Sequence, residues 1–161
     1  MDSVENGSDV RHRRRLTTRI KGSLRDVRSQ LALLNRQVGT RLELRDVDFD
    51  CLDLINSHGP ISPSALAKQA GLHPATLTGI LDRLEGAGWI VRERATGDRR
   101  AVLVRSLPER LGEVYDLLSG MNAAVDDLCA DYTPDQLELL ADFLARVTTA
   151  GRAATDDLVA G

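Results

Sequence analysis

The sequence predicts a mainly α-helical chain with one small β-hairpin and long helices at both ends. Three observations predict it. Leu16, Ile20, Leu24, Val27, Leu31, Leu34, Val38 and Leu42 recur at steps of three and four, a single apolar stripe on a helix of about seven turns. Leu111, Val114, Leu118, Met121, Val125, Leu128 and Tyr132 repeat that pattern towards the other end. Between the two stripes, two short capped helices precede a pair of β-type runs joined by a turn. Apolar residues form 42% of the 161 and aromatics only 3%, so aliphatic side chains must fill the core, which favours packed helices over a large sheet.

The elements follow in order. Residues 1–15 are polar and then basic, and read as a disordered tail. Residues 16–45 form the first long helix, longer than one small core can cover, so a second copy is expected to cover the rest. A compact unit is expected over residues 46–107. Its first helix runs from about Asp48 to Ser57, with Phe49, Leu52 and Ile55 on one side and Cys51 and Leu54 on the other. Gly59 can stop that helix in the left-handed conformation, and Pro60 cannot continue it. Ser62 is a good N-cap, Pro63 suits the first helical position, and Ala70-Gly71 ends this second helix. His73-Pro74 opens a third, with Leu77, Ile80, Leu81 and Leu84 inward. Trp89 to Arg94 and Arg100 to Arg105 are the strands, and Gly97 supplies the turn between them.

Residues 108–161 carry the C-terminal helices. Ser106-Leu107-Pro108-Glu109 and Thr133-Pro134-Asp135-Gln136 both have capping-box spacing. The last helix is expected to turn Leu137, Leu140, Leu144 and Val147 inward and to fray beyond Ala150. The two terminal helical regions are therefore read as dimerisation helices.

Charge is distributed unevenly. Residues 1–105 hold 18 Lys and Arg against 13 Asp and Glu, whereas residues 106–161 hold 3 against 11. A basic front on an overall acidic chain fits one face meeting a polyanion.

The informative stretch is Ser62 to Arg105. Ala67, Gly71 and Leu77 stand at offsets of four and six, where a helix-turn-helix needs a small contact residue, a turn glycine and an apolar anchor. With the hairpin behind it, the unit reads as a winged helix-turn-helix that binds double-stranded DNA. His73, Thr76 and Thr78, near the start of the second helix, are candidates for the major groove, and Arg83 follows on the same helix. Ser62, Ser64 and Lys68 are candidates for phosphate. The hairpin bears Arg92, Arg94, Arg99, Arg100 and Arg105 against only Glu93 and Asp98. An arginine at its tip can reach into a minor groove.

The segment from Ala65 to Leu107 resembles the winged helix of the MarR family of transcriptional regulators. Ala75-Thr76-Leu77-Thr78, Asp82-Arg83-Leu84-Glu85-Gly86-Ala87-Gly88 and Gly97-Asp98-Arg99-Arg100 carry the resemblance. It implies a triangular homodimer on a pseudo-palindromic operator, with a recognition helix in the major groove and a wing in the minor groove of each half-site. By position, Arg100 would be the minor-groove arginine and Asp98 would hold the wing, either through Arg100 or across the hairpin through Arg92. The resemblance also implies a repressor and a small-molecule effector, although this chain has few aromatics to line a ligand site. Gly79 departs from the pattern where many members have arginine.

Other classes find less support. His12, His58 and His73 lie in no nucleophile or metal spacing, and there is no phosphate-binding glycine loop, so no enzyme, metal or cofactor is expected. Cys51 lies in an apolar helix and Cys129 among Asp126, Asp127 and Asp131, a setting for structural cysteines rather than a redox sensor. A winged-helix module that binds protein instead of DNA is the remaining alternative. No apolar run reaches membrane-span length and no signal peptide is visible, so a cytoplasmic protein is expected.

Overall fold

A computed structural model describes the backbone of residues 2–95 and 98–160 and the side chains of residues 8–95 and 101–158. The chain divides into two compact units, residues 1–117 and 118–161. The first holds α1 (Asp2–Arg41), α2 (Asp46–His58), α3 (Pro63–Ala70), α4 (Pro74–Gly86), β1 (Ile90–Ala95), β2 (Asp98–Ser106) and the start of α5 (Pro108–Ala130). The second holds the rest of α5 and α6 (Pro134–Ala160).

Only the end of α1 is packed. Val38 is 3% exposed and Gly39 is buried against Leu44 and Phe49, whereas Leu16, Ile20, Val27 and Leu31 are each at least 39% exposed. Where the sequence predicts a disordered tail to residue 15, the helix continues back to Asp2. Residues 8–21 contain no proline, so nothing in the backbone breaks the run.

The core of the first unit lies between α2, α3, α4 and the hairpin. Leu52, Ile55, Leu66, Leu77, Leu84, Trp89 and Val104 are almost fully enclosed. Burying aliphatic side chains of this size contributes about 1.5–3 kcal/mol each before conformational entropy is counted. The inward residues expected of α4 are all buried, as are Cys51, Phe49, Leu52 and Ile55 of α2.

Two junctions differ from the sequence reading. Gly59 is extended, at φ −69° and ψ 159°, rather than left-handed, because the residue before a proline is pushed towards the β region. Glycine is needed there for closeness instead: a Cβ would collide with the carbonyl oxygen of Ile55. At the α5 start, Ser106 is the last residue of β2, opposite Ile90, so it does not cap the helix. Strand pairing takes it, and the next residue, Leu107, donates its N–H to Trp89 O at 2.9 Å. Gly71, by contrast, takes the left-handed C-cap predicted for it, at φ 63°.

β1 and β2 pair antiparallel, with Arg92 opposite Val104 and Arg94 opposite Val102. A shift after Arg94 brings Ala95 opposite Asp98. Ile61 adds a short bridge to the same sheet: its N–H donates to Val104 O at 3.0 Å, and Val104 N–H donates to Ile61 O at 2.8 Å. Arg110 of α5 lies over the Trp89 ring at 3.8 Å and donates to Ala87 O at 2.6 Å, fixing the start of α5 against the unit.

In the second unit the Thr133 capping box forms as predicted. Thr133 N–H donates to Gln136 Oε1 at 2.9 Å, and Gln136 N–H donates to Thr133 Oγ1 at 3.3 Å. α6 then runs to Ala160, past the expected fraying point. Its expected inward face is not enclosed within one chain: Leu137 and Val147 are half-buried, while Leu140 and Leu144 are exposed. The stripe on α5 behaves alike, with Leu111 and Val114 buried but Met121, Val125 and Leu128 exposed.

Candidate nucleic-acid interface

α4 is buried along one side. Leu77, Ile80, Leu81 and Leu84 anchor that side in the core, and Thr76 and Thr78 stand exposed on either flank of it. His73 is the N-cap, its Nδ1 accepting from Ala75 N–H at 3.3 Å. Thr78 Oγ1 donates to Pro74 O at 3.0 Å, which orients the hydroxyl and leaves its lone pairs for an outside donor. α3 offers Ser64 and Lys68, exposed and one turn apart. Ser62 Oγ caps α3 by accepting from Ala65 N–H at 3.2 Å, and lies 3.2 Å from Ser64 Oγ.

The arginines divide sharply. Arg83 donates from Nε and Nη2 to the two carboxylate oxygens of Asp48, at 2.9 and 2.6 Å, and Asp48 is 3% exposed. This bidentate pair ties α4 to α2. Arg92 donates from Nη1 to Glu85 Oε2 at 2.6 Å and from Nη2 to Asp82 Oδ1 at 2.7 Å, while its backbone N–H reaches Glu85 Oε1 at 3.0 Å. Arg105 is held across the hairpin by Glu93 at 2.6 and 2.9 Å, and this bond holds the Glu93 carboxyl below its usual pKa. Arg94 is exposed.

Asp98, Arg99 and Arg100 belong to β2, but their side chains lie outside the described residues, as does Gly97. The Asp98–Arg100 pairing expected from sequence therefore lies outside them too. The alternative pairing of Asp98 with Arg92 lies outside them as well. Asp98 sits opposite Ala95, three residues along β1 from Arg92, and Arg92 is already engaged by Asp82 and Glu85.

Sequence reasoning weighed the hairpin arginines only against acids on the hairpin itself. It missed the partners on α4 and α2. A signal was present: Asp82 and Glu85 are three residues apart, hence on one helix face, and Glu85 is seven residues before Arg92. Asp48 gave none, since only the fold reveals its burial.

Cys51 is fully buried, and its thiol is pushed up to about 11 by burial, then by Asp48 and Asp50. Cys129 is half-buried in the second unit. A cavity of about 520 Å³ lies between α1 and α2, lined by Leu24, Val27, Leu31, Phe49, Arg28 and Asp50 among others. Among the described residues no cluster of metal-ligating side chains occurs, and no helix is long and apolar enough to cross a membrane.

Known proteins share this arrangement. The MarR family pattern matches residues 44–102, which span α2 to the middle of β2. The HTH-type transcriptional regulator YcgE of Bacillus subtilis, itself uncharacterized, is 33% identical over 139 residues, covering 77% of this chain and 90% of that one. The chain belongs to the MarR family. As a MarR-family protein it is a DNA-binding transcriptional regulator and not an enzyme. The crystal structure of NadR in complex with 4-hydroxyphenylacetate is similar at a TM-score of 0.60 and 26% identity, over 80% of this chain and 91% of that one. The regulator Tm0710 from Thermotoga maritima shares the fold at a TM-score of 0.60 and 20% identity, over 86% and 98%. Both resemblances extend beyond the winged helix, and this MarR-family chain keeps the mainly helical, single-hairpin fold class throughout.

Proposed function

We propose that this MarR-family protein binds a pseudo-palindromic operator as a homodimer and represses transcription from it in the cytoplasm. α4 enters the major groove and the hairpin tip the minor groove. The observation that carries the reading is that α4 is locked in the core along one side and leaves His73, Thr76 and Thr78 exposed around its N-terminal turn on a rigid frame. Ser62, Ser64 and Lys68 hold phosphates beside it, and Arg94, Arg99 and Arg100 serve the wing. Arg83 and Arg92 act at one remove, by positioning α4 and the hairpin through the ion pairs described above.

The homodimer is supported by the exposed apolar stripes of α1, α5 and α6, which one chain leaves uncovered. An effector is supported by the cavity between α1 and α2. Its lining mixes Leu24, Val27, Leu31 and Phe49 with Arg28, Arg36, Asp46 and Asp50, so it suits a small ligand with both apolar and polar groups. A cysteine-based sensor is disfavoured by the buried, poorly ionising Cys51.

The test starts from operators selected out of genomic fragments. Arg100→Ala should weaken operator binding at least about tenfold, roughly 1.4 kcal/mol, with an unchanged melting temperature. Thr78→Ala should reorder the preference among operator variants by roughly 1 kcal/mol. Wild-type affinity in Arg100→Ala and an intact ranking in Thr78→Ala together would refute this placement of wing and helix.

A further inference from the structure

α1 continues far beyond its anchor at Val38, and its two sides differ. The apolar stripe of Leu16, Ile20, Leu24, Val27 and Leu31 runs in phase with Val38, so it continues the side that packs on α2. At 3.6 residues per turn, Arg14 and Arg25 fall about 120–140° round the helix from that stripe in one direction and Arg15 and Arg19 about 100–140° in the other, so together they span the side away from it. All four are exposed. From Val10 to Leu24 the chain has six Lys and Arg and no Asp or Glu, and Asp26, beside Arg25, is the first acid after that stretch. A second protein surface that covers the stripe still leaves the arginines outward.

We propose that this arginine-bearing side of α1, centred on Arg14, Arg15 and Arg19, is a second contact for duplex DNA that grips the phosphate backbone outside the operator core. It rests on the DNA-binding reading above. Chemistry and reach argue for it. Guanidinium groups are forked donors suited to phosphate oxygens. The proposed contact is with phosphate oxygens, which carry no sequence information directly. Arg14 precedes Val38 by 24 residues, which on a helix is about 36 Å, close to one turn of B-DNA. The arm can therefore meet flanking DNA that α4 and the hairpin do not touch. The basic front of the chain then has two parts, one that reads the operator and one that clamps its flanks.

The experiment uses the full chain and labelled mixed-sequence duplexes of about 20 and 40 base pairs, the shorter spanning two half-sites one turn apart. Affinity is measured by fluorescence anisotropy across a salt series. Wild type should show a steeper salt slope on the longer duplex. Arg14→Ala/Arg15→Ala/Arg19→Ala should flatten that slope by roughly two to three units per arm engaged and remove the advantage of length. Its slope on the shorter duplex should stay as in wild type. The matching triple lysine variant keeps the charge and should keep most of the length advantage. Sedimentation and thermal melting should match wild type in both variants.

Three results would overturn the proposal. One is an unchanged length dependence in the alanine variant. Another is loss of the dimer in that variant, which assigns the arginines to a second copy. The third is loss of binding to phosphatidylglycerol vesicles with DNA binding intact, which assigns them to a lipid surface. If wild type binds neither duplex, the DNA-binding reading itself fails, a result distinct from all three.

Discussion

Arg92→Ala tests whether the hairpin arginines are divided between holding and touching. In the structure the Arg92 side chain is 26% exposed and bonded to Asp82 and Glu85, whose side chains are 62% and 38% exposed. Exposed pairs of this kind contribute about 0.2–1 kcal/mol each. The packed aliphatic stem of Arg92 adds a comparable amount. The bond from its backbone N–H to Glu85 survives the substitution. Removing the side chain should therefore cost about 1–2 kcal/mol and lower the melting temperature by about 3–6 °C in a chain of this size. Since the guanidinium is occupied within the protein, it supplies no phosphate contact, and the salt slope for DNA should stay as in wild type. Arg94→Ala should do the reverse, leaving the melting temperature unchanged and flattening the slope by about one unit per protomer. Differential scanning fluorimetry and anisotropy titrations from low to moderate salt read both quantities. An Arg92→Ala variant that melts like wild type but loses as much slope as Arg94→Ala would refute the reasoning.

Further outcomes follow from other parts of the chain. Cys51 in a Cys129→Ser background should not react with Ellman's reagent at pH 8, and should give one equivalent after denaturation in guanidinium. Because its thiol pKa is raised from 9.0 to about 11, the buried thiol supports stability fully below about pH 9 and loses that contribution as pH rises towards 11; chemical denaturation at pH 8 and 10.5 should show the fall. Gly59→Ala should destabilise the first unit by about 1–3 kcal/mol, read as a lower denaturant midpoint, because the new methyl has no room beside the Ile55 carbonyl. Leu118→Glu/Val125→Glu should leave no stable dimer at micromolar concentration, and a folded dimer by light scattering would remove α5 from the interface.

Much of the fold was legible because local chemistry and tertiary packing agree. Ala67, Gly71 and Leu77 sit where short-range sterics alone demand them, and Gly71 adopts the left-handed backbone that its position requires. The same holds for Thr133 and Gln136, whose capping box is satisfied within four residues. Legibility failed where two local signals competed. Ser106 has capping-box spacing but also a strand partner in Ile90, and the strand wins. At Gly59 the following proline decides the backbone, although glycine usually marks a left-handed stop. The candidate site was legible in its neutral residues, Thr76 and Thr78, since helical phase turns Leu77, Ile80, Leu81 and Leu84 inward and leaves both threonines outside that stripe. It was less legible in its arginines. A guanidinium on a hairpin looks the same in sequence whether it faces solvent or an acid on a neighbouring helix, and Arg92 and Arg94 differ in that alone.

The bridge between Ile61 and Val104 has a practical consequence for anyone who builds chimeras. Ile61 immediately precedes the Ser62 cap of α3, and Val104 lies in the strand that returns from the wing tip. A wing grafted from a relative arrives with its own strand register. If the graft places any residue but a small, inward aliphatic one opposite Ile61, the entry to α3 shifts with it, and α4 is re-aimed by a change made in the hairpin. Hairpin and α3–α4 are thus coupled through this bridge, and a swap that respects the boundary at Ile61 should transplant binding preference where one cut inside the hairpin should not.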